Sequence, residues 1–162
     1  MKLEKKYKLI PVKNYDNIFQ LVALKDFNDV KVGDFGGYVE SEDNLSHEGD
    51  CWIYGNSRVR GNSIVQDNAI VKDNAVVIGN VVVKDYAVIS DQALVLDNAE
   101  ICDGAKVCDR AYIANNVVLT DNVVVGGSAY IKDNVYIKGN VEIRGLVTLS
   151  GNLTIGDDGL IQ

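Results

Sequence analysis

From Gly49 to Gln162 apolar and polar positions recur every six residues, through nineteen consecutive hexads without insertion or deletion: GDCWIY, GNSRVR, GNSIVQ, DNAIVK and so on to DDGLIQ. The fifth position is always Val, Ile or Leu, from Ile53 and Val59 to Ile155 and Ile161, and the third is nearly always small or β-branched, as at Ser57, Ala69 and Val81. The first is Gly, Asp or once Asn, and the second is most often Asn. Apolar positions two apart follow the period of a strand, while Gly, Asp and Asn tolerate the positive φ of a tight corner. Each hexad therefore predicts a short strand plus a corner. An uninterrupted repeat of this kind is a solenoid, in which a unit buries its apolar side only by stacking on its neighbours.

The second position reveals how many hexads close a coil. Three hexads per coil would stack residues 18 apart, and that spacing gathers Asn62, Asn80, Asn98, Asn116, Asn134 and Asn152 into one pure column. The other two columns are mixed, one of them holding Asn68, Asn122 and Asn140 beside Tyr86 and Gly104. Stacked amides at strand spacing can hydrogen-bond along such a column. The expectation is an all-β, single-stranded parallel β-helix with 18 residues per coil, occupying residues 43–162 if the partial hexad Asp43–Glu48 is counted. Six to seven coils would make a rod about 30 Å long. Each inward aliphatic is worth roughly 1.5–3 kcal/mol when buried, so the three of one coil cannot hold it alone.

Residues 1–42 are expected to form a β cap. Lys5–Val12 and Ile18–Phe27 predict two strands joined by the turn residues 13–17 as a hairpin. Gly33, Gly36 and Gly37 lie within five residues, in a piece that lacks the Lys-Ser/Thr ending of a phosphate loop and predicts a turn in the cap. A cap is needed because an open coil exposes core and strand edge. The last residues, Leu160-Ile161-Gln162, stop within a repeat, which predicts a copy or a partner at that end.

Val59-Arg60-Gly61-Asn62-Ser63-Ile64 and Val65-Gln66-Asp67-Asn68-Ala69-Ile70 resemble the consensus of the hexapeptide-repeat superfamily, except at the second place, where Arg and Gln stand for the usual Gly, Ala or acid. The resemblance implies a left-handed parallel β-helix, although general chain chirality favours right-handed crossovers. The opening, with Leu24-Lys25-Asp26-Phe27, Val32-Gly33-Asp34-Phe35-Gly36-Gly37-Tyr38-Val39 and Cys51-Trp52-Ile53-Tyr54, is similar to small bacterial and prophage-encoded hexapeptide-repeat proteins that are labelled transferases on the strength of their fold. Together these resemblances cover nearly the whole chain.

The net charge of -7 belongs to the repeat region, because residues 1–42 hold seven Lys and seven acids. A basic nucleic-acid footprint is absent, and no apolar run approaches a membrane span. Three cysteines without framework spacing, Cys51 inward and Cys102 and Cys108 outward, together with an N-terminus lacking an apolar signal core, predict a cytoplasmic protein.

Candidate chemistry is sparse. The chain has one histidine, His47, and no loop leaves the rod after Gly49. Acyltransferases that resemble this chain use a histidine at a cleft between the subunits of a trimer, so His47 would be the general base, with acyl-CoA the only cofactor implied; the alternative is a corner residue beside the cap. The acids Asp67, Asp85, Asp103 and Asp121 form one column and Asp73, Asp91 and Asp109 another. Carboxylates roughly 5 Å apart repel by about 1 kcal/mol even in a water-like dielectric, so each must accept corner N–H groups or share a bridging cation such as calcium. One outer face displays Val76, Ile78, Leu94, Leu96, Tyr112, Ala114 and Tyr130, and the other two carry shorter apolar rows, Trp52, Ile70, Val88 and Val124 on one and Ile64, Val82, Val118 and Tyr136 on the other. So large an exposed patch marks an interface. The sequence thus points to a non-catalytic binding or scaffold β-helix, homo-oligomeric and most readily trimeric, with a protein or small-molecule partner. An acyltransferase-like enzyme and a self-assembling rod resembling bactofilins are the alternatives.

Overall fold

A computed structural model describes residues 4–162. β1 (Tyr7–Pro11) and β2 (Phe19–Ala23) form an antiparallel hairpin with Tyr7 opposite Ala23 and Pro11 opposite Phe19. Asn14 and Asn17 turn the chain between them at φ 69° and 56°. β3 (Phe35–Val39) is antiparallel to β2 and parallel to β5 (Arg58–Gly61), with β4 (Trp52–Ile53) lying between β3 and β5 in sequence. One strand thus welds the hairpin to the first full coil.

From there the chain is a parallel β-solenoid of about seven stacked coils, each strand pairing with the strand 18 residues on. Three sheets result: one of nine strands that includes the hairpin, one of six and one of seven. Val59, Val77, Val95, Ile113, Ile131 and Leu149 stack down the nine-stranded sheet. The third and fifth hexad positions form one continuous core, with Ala69, Ala75, Val81, Ala87, Val77 and Val83 fully buried. Small residues at the third position let the three walls approach closely, while the aliphatic fifth positions fill the axis.

The repeat does not extend backward in register. Leu45 pairs with Val65 and Val39 with Val59, twenty residues apart, whereas Ile53 pairs with Val71 eighteen apart. The hexad expected at Asp43–Glu48 is therefore displaced by two residues. The extra length lies between Leu45 and Cys51, where the chain curls around the ammonium of fully buried Lys6: Nζ reaches the carbonyls of Cys51 at 2.8 Å, Gly49 at 3.2 Å and Glu48 at 3.5 Å. Buried Asn44 ties this irregular coil to the next, donating to Gly61 O at 2.9 Å and Ser63 O at 2.8 Å and accepting from the Glu40 and Ser41 N–H groups.

Two sequence expectations change here. Only Gly33 makes a turn, at φ 91°, whereas Gly36 and Gly37 lie inside β3, where an added Cβ would stand 2.7 Å from the Trp52 indole and 2.6 Å from Ile53. Trp52, placed on an outward row by its hexad position, is 1% exposed. The cap covers it, with the Phe27 ring edge-on at 5.3 Å and Tyr7 at 6.3 Å.

Candidate functional site

The outer face of the nine-stranded sheet stacks Val76, Leu94, Tyr112 and Tyr130 in one row and Ile78 and Leu96 in the next. The aliphatic members and Tyr112 are half-buried, and Tyr130 is 37% exposed. Strand pairing brings the Tyr112 and Tyr130 rings to 4.6 Å at 24°, and Lys132 Nζ lies 5.7 Å from the Tyr130 ring. Burial, then the neighbouring Tyr130, pushes the Tyr112 phenol upward. Ala114 departs from the expected patch: it is 4% exposed. Arg58 and Arg60 occupy the equivalent places beside Val76 and Ile78 one coil earlier, so the apolar stretch has a cationic end.

The asparagine column is a hydrogen-bonded ladder. Asn62, Asn80, Asn98, Asn116 and Asn134 each donate Nδ2–H to the Oδ1 of the next asparagine at 2.8–3.2 Å, ending on Asn152. Asn122, Asn140 and Asp158 repeat the pattern at 3.0 and 2.9 Å.

The aspartate columns bond differently. Asp67 Oδ2 accepts the N–H of Asp85 at 3.2 Å, Asp85 that of Asp103, Asp103 that of Asp121, and Asp121 that of Gly139 at 2.8 Å. Asp73, Asp91 and Asp109 do the same on another corner. Each carboxylate thus bonds the corner one coil further on, not its own turn, and links successive coils. The Thr120 hydroxyl, then the Asp121 N–H, holds the Asp103 carboxyl below the usual range.

Among the described residues the metal-type donors that converge are Asp91 and Asp109, of the second aspartate column, with Cys108, within 4.8 Å of one another. Arg144 Nη1 sits 3.2 Å from Asp109 Oδ2 and 3.6 Å from Cys108 Sγ, and Gly126 leaves it the room. The protein's own cation fills that place. Burial, then Asp109, raises the Cys108 thiol. Cys102, on an outward hexad position, is only 8% exposed.

His47 belongs to the cap. Its ring stacks on Tyr7 at 4.1 Å and 14°, Nδ1 accepts the Lys6 backbone N–H at 3.1 Å, and Nε2 lies 2.8 Å from Glu42 Oε1. The Lys6 N–H fixes the tautomer: with Nδ1 accepting, the proton is on Nε2 and donates to Glu42. In this arrangement the Nδ1 lone pair is taken by the Lys6 N–H. The adjoining cleft, about 530 Å³, is lined by Glu4, Asp26, Glu48 and Asp50 against Lys25, a poor seat for a polyphosphate. Lys6, Tyr7 and Asn44 escaped the sequence reading because nothing periodic marks them. Burial lowers the Lys6 ammonium and pushes the Tyr7 phenol well above its usual range.

The repeat and coil geometry are those of a hexapeptide-repeat β-solenoid. No known family model matches the chain. Over 40 residues, 25% of its length, the chain is 45% identical to an Escherichia coli (strain K12) protein described as uncharacterized acetyltransferase YdcK, of which the match covers 12%. No helix among the described residues is long and apolar enough to cross a membrane.

Proposed function

We propose that the protein is a non-catalytic binding or scaffold β-solenoid that associates with copies of itself, as a trimer, through the face bearing Leu94 and Tyr112. The observation that carries this is the in-register stack of Val76, Leu94, Tyr112 and Tyr130 beside Ile78 and Leu96 on one outer surface. An uncharged centre with Arg58, Arg60 and Lys132 at its margins has the composition of an interface core and rim. Light scattering over a dilution series tests it. The wild-type chain should hold one oligomeric mass, and Leu94→Glu should fall to the monomer with its fold retained. A monomeric wild type, or an oligomer indifferent to Leu94→Glu, refutes the proposal.

An acyltransferase is the second reading, favoured by the name of the E. coli relative. It needs acetyl-CoA to bind. Calorimetric titration of the oligomer with acetyl-CoA distinguishes the two, and a His47→Ala chain that still transfers acetyl groups would remove His47 from the chemistry.

A further inference from the structure

Between the tip of the hairpin and the first coil lies a cleft of about 440 Å³ lined by Tyr15, Asp16, Ile18, Tyr38, Asn56, Arg58 and Arg60. That volume lies in the range of small-ligand sites. Its charges are unevenly committed. Arg60 is paired with Glu40 at 2.9 Å, and Glu40 also accepts the Gly61 N–H at 2.7 Å. Neither Arg58 nor Asp16 belongs to an ion pair among the described residues, and the two do not pair with each other. A guanidinium and a carboxylate thus face one cleft with their charge-assisted bonding capacity open.

The presentation of these groups is built. Asn14 and Asn17, both in the left-handed region, bracket Tyr15 and Asp16. The Val12 N–H to Ile18 O bond at 2.9 Å and the Tyr15 N–H to Val12 O bond at 3.3 Å close the turn. Tyr15 is 67% exposed, a large ring held out beside half-buried Tyr38 and Ile18. Arg58 is carried on the other side by β5, whose pairing with β3 sets it opposite Tyr38.

We propose that this cleft binds a small zwitterion of the amino-acid class: its carboxylate on Arg58, its ammonium on Asp16, and an apolar or aromatic body against Tyr15, Tyr38 and Ile18. A simple anion would leave Asp16 opposing it, and a simple cation would leave Arg58 doing so; a ligand carrying both signs satisfies both. Arg58 also stands at the rim of the proposed Leu94 interface, one coil before Val76, so the binding titration is repeated on the Leu94→Glu chain, which should bind as the wild type does if each copy carries the whole cleft.

Calorimetric titration of the full chain at low salt tests it, with L-phenylalanine and L-leucine as probes and N-acetyl-L-phenylalanine and L-phenylalanine amide as controls. At least one free amino acid should bind saturably. Each control should bind at least about tenfold more weakly, since blocking one charge strands its protein partner. Arg58→Gln and Asp16→Asn should each weaken binding by a similar factor while melting like the wild type, both side chains being exposed. Absence of saturable binding by either amino acid overturns the proposal. So does equal binding of the N-acetyl derivative, which would make the cleft an anion site, or of the amide, which would make it a cation site. Variants that bind as the wild type does would place the ligand elsewhere.

Discussion

The backbone N–H of Lys6 donates to Nδ1 of His47 at 3.1 Å, joining the residue just before the first strand of the cap to the irregular first coil across forty-one residues of sequence. The same imidazole donates to Glu42 and stacks on Tyr7, whose hydroxyl lies 2.6 Å from the Leu45 carbonyl. The histidine is the keystone of the cap. His47→Ala should cost about 1–3 kcal/mol, the penalty for stranding a buried N–H and losing the ring contact. Thermal unfolding checks this; an unchanged melting temperature would show that the cap does not need the ring.

The aspartate corners predict a ranking. Asp85 sits at φ 58°, accepts the Asp103 N–H and lends its own N–H to Asp67. Asp85→Asn keeps an acceptor and a left-handed-tolerant residue and should be nearly neutral. Asp85→Gly loses the acceptor, about 1 kcal/mol, and Asp85→Ala adds roughly 1–2 kcal/mol for the left-handed backbone. Melting temperatures should fall in that order, and an alanine variant as stable as the asparagine variant would deny the inter-coil role.

Gly37 and Gly145 separate crowding from conformation. At Gly37 a Cβ would lie 2.6 Å from Ile53 Cγ2 and from Ser57 O, so Gly37→Ala should loosen the cap by about 1–3 kcal/mol. Gly145 has open space but φ 78°, and Gly145→Ala should cost about 1 kcal/mol through backbone strain alone. Amide hydrogen exchange should place the first loss at β2 and β3 and the second at the corner bearing Gly145.

Acid stability follows from Glu40. The Gly61 N–H, then the Arg60 guanidinium, holds its carboxyl below the ordinary 4.5. A folded value below the unfolded one contributes stability that is fully present above pH 4.5 and is lost as pH falls through the folded value. Glu42, held down by Lys5 and then His47, acts in the same direction. Glu40→Gln should therefore flatten the decline in melting temperature below pH 4.5 relative to wild type, and parallel curves would contradict the assignment.

Much of this molecule was legible in its residues, and the misses are instructive. The 18-residue coil followed from the pure column Asn62 to Asn152, whose members bond one another in the structure. The outward row through Leu94 and Tyr112 was equally visible, because strand alternation assigns sides without knowledge of the neighbours. Trp52 was misplaced because exposure depends on what lies over a position, here the rings of Phe27 and Tyr7 in the cap. Gly36 and Gly37 suggested a turn, but their absent side chains admit Trp52 and Ile53.

The sequence by itself determined the solenoid, its coil length and its inward and outward rows, since each rests on a short period repeated until chance is excluded. Tertiary structure alone decided the cap: the two-residue slip around Lys6, the burial of Trp52, the capture of His47 by Lys6 and Glu42, and the cleft that brings Asp16 and Arg58 to one opening. Those features rest on single, unrepeated contacts, several of them between residues more than forty apart, as Lys6 is from His47 and from Cys51. A repeat announces itself many times over in one dimension, whereas a contact made once is encoded only in the shape into which the chain has already folded.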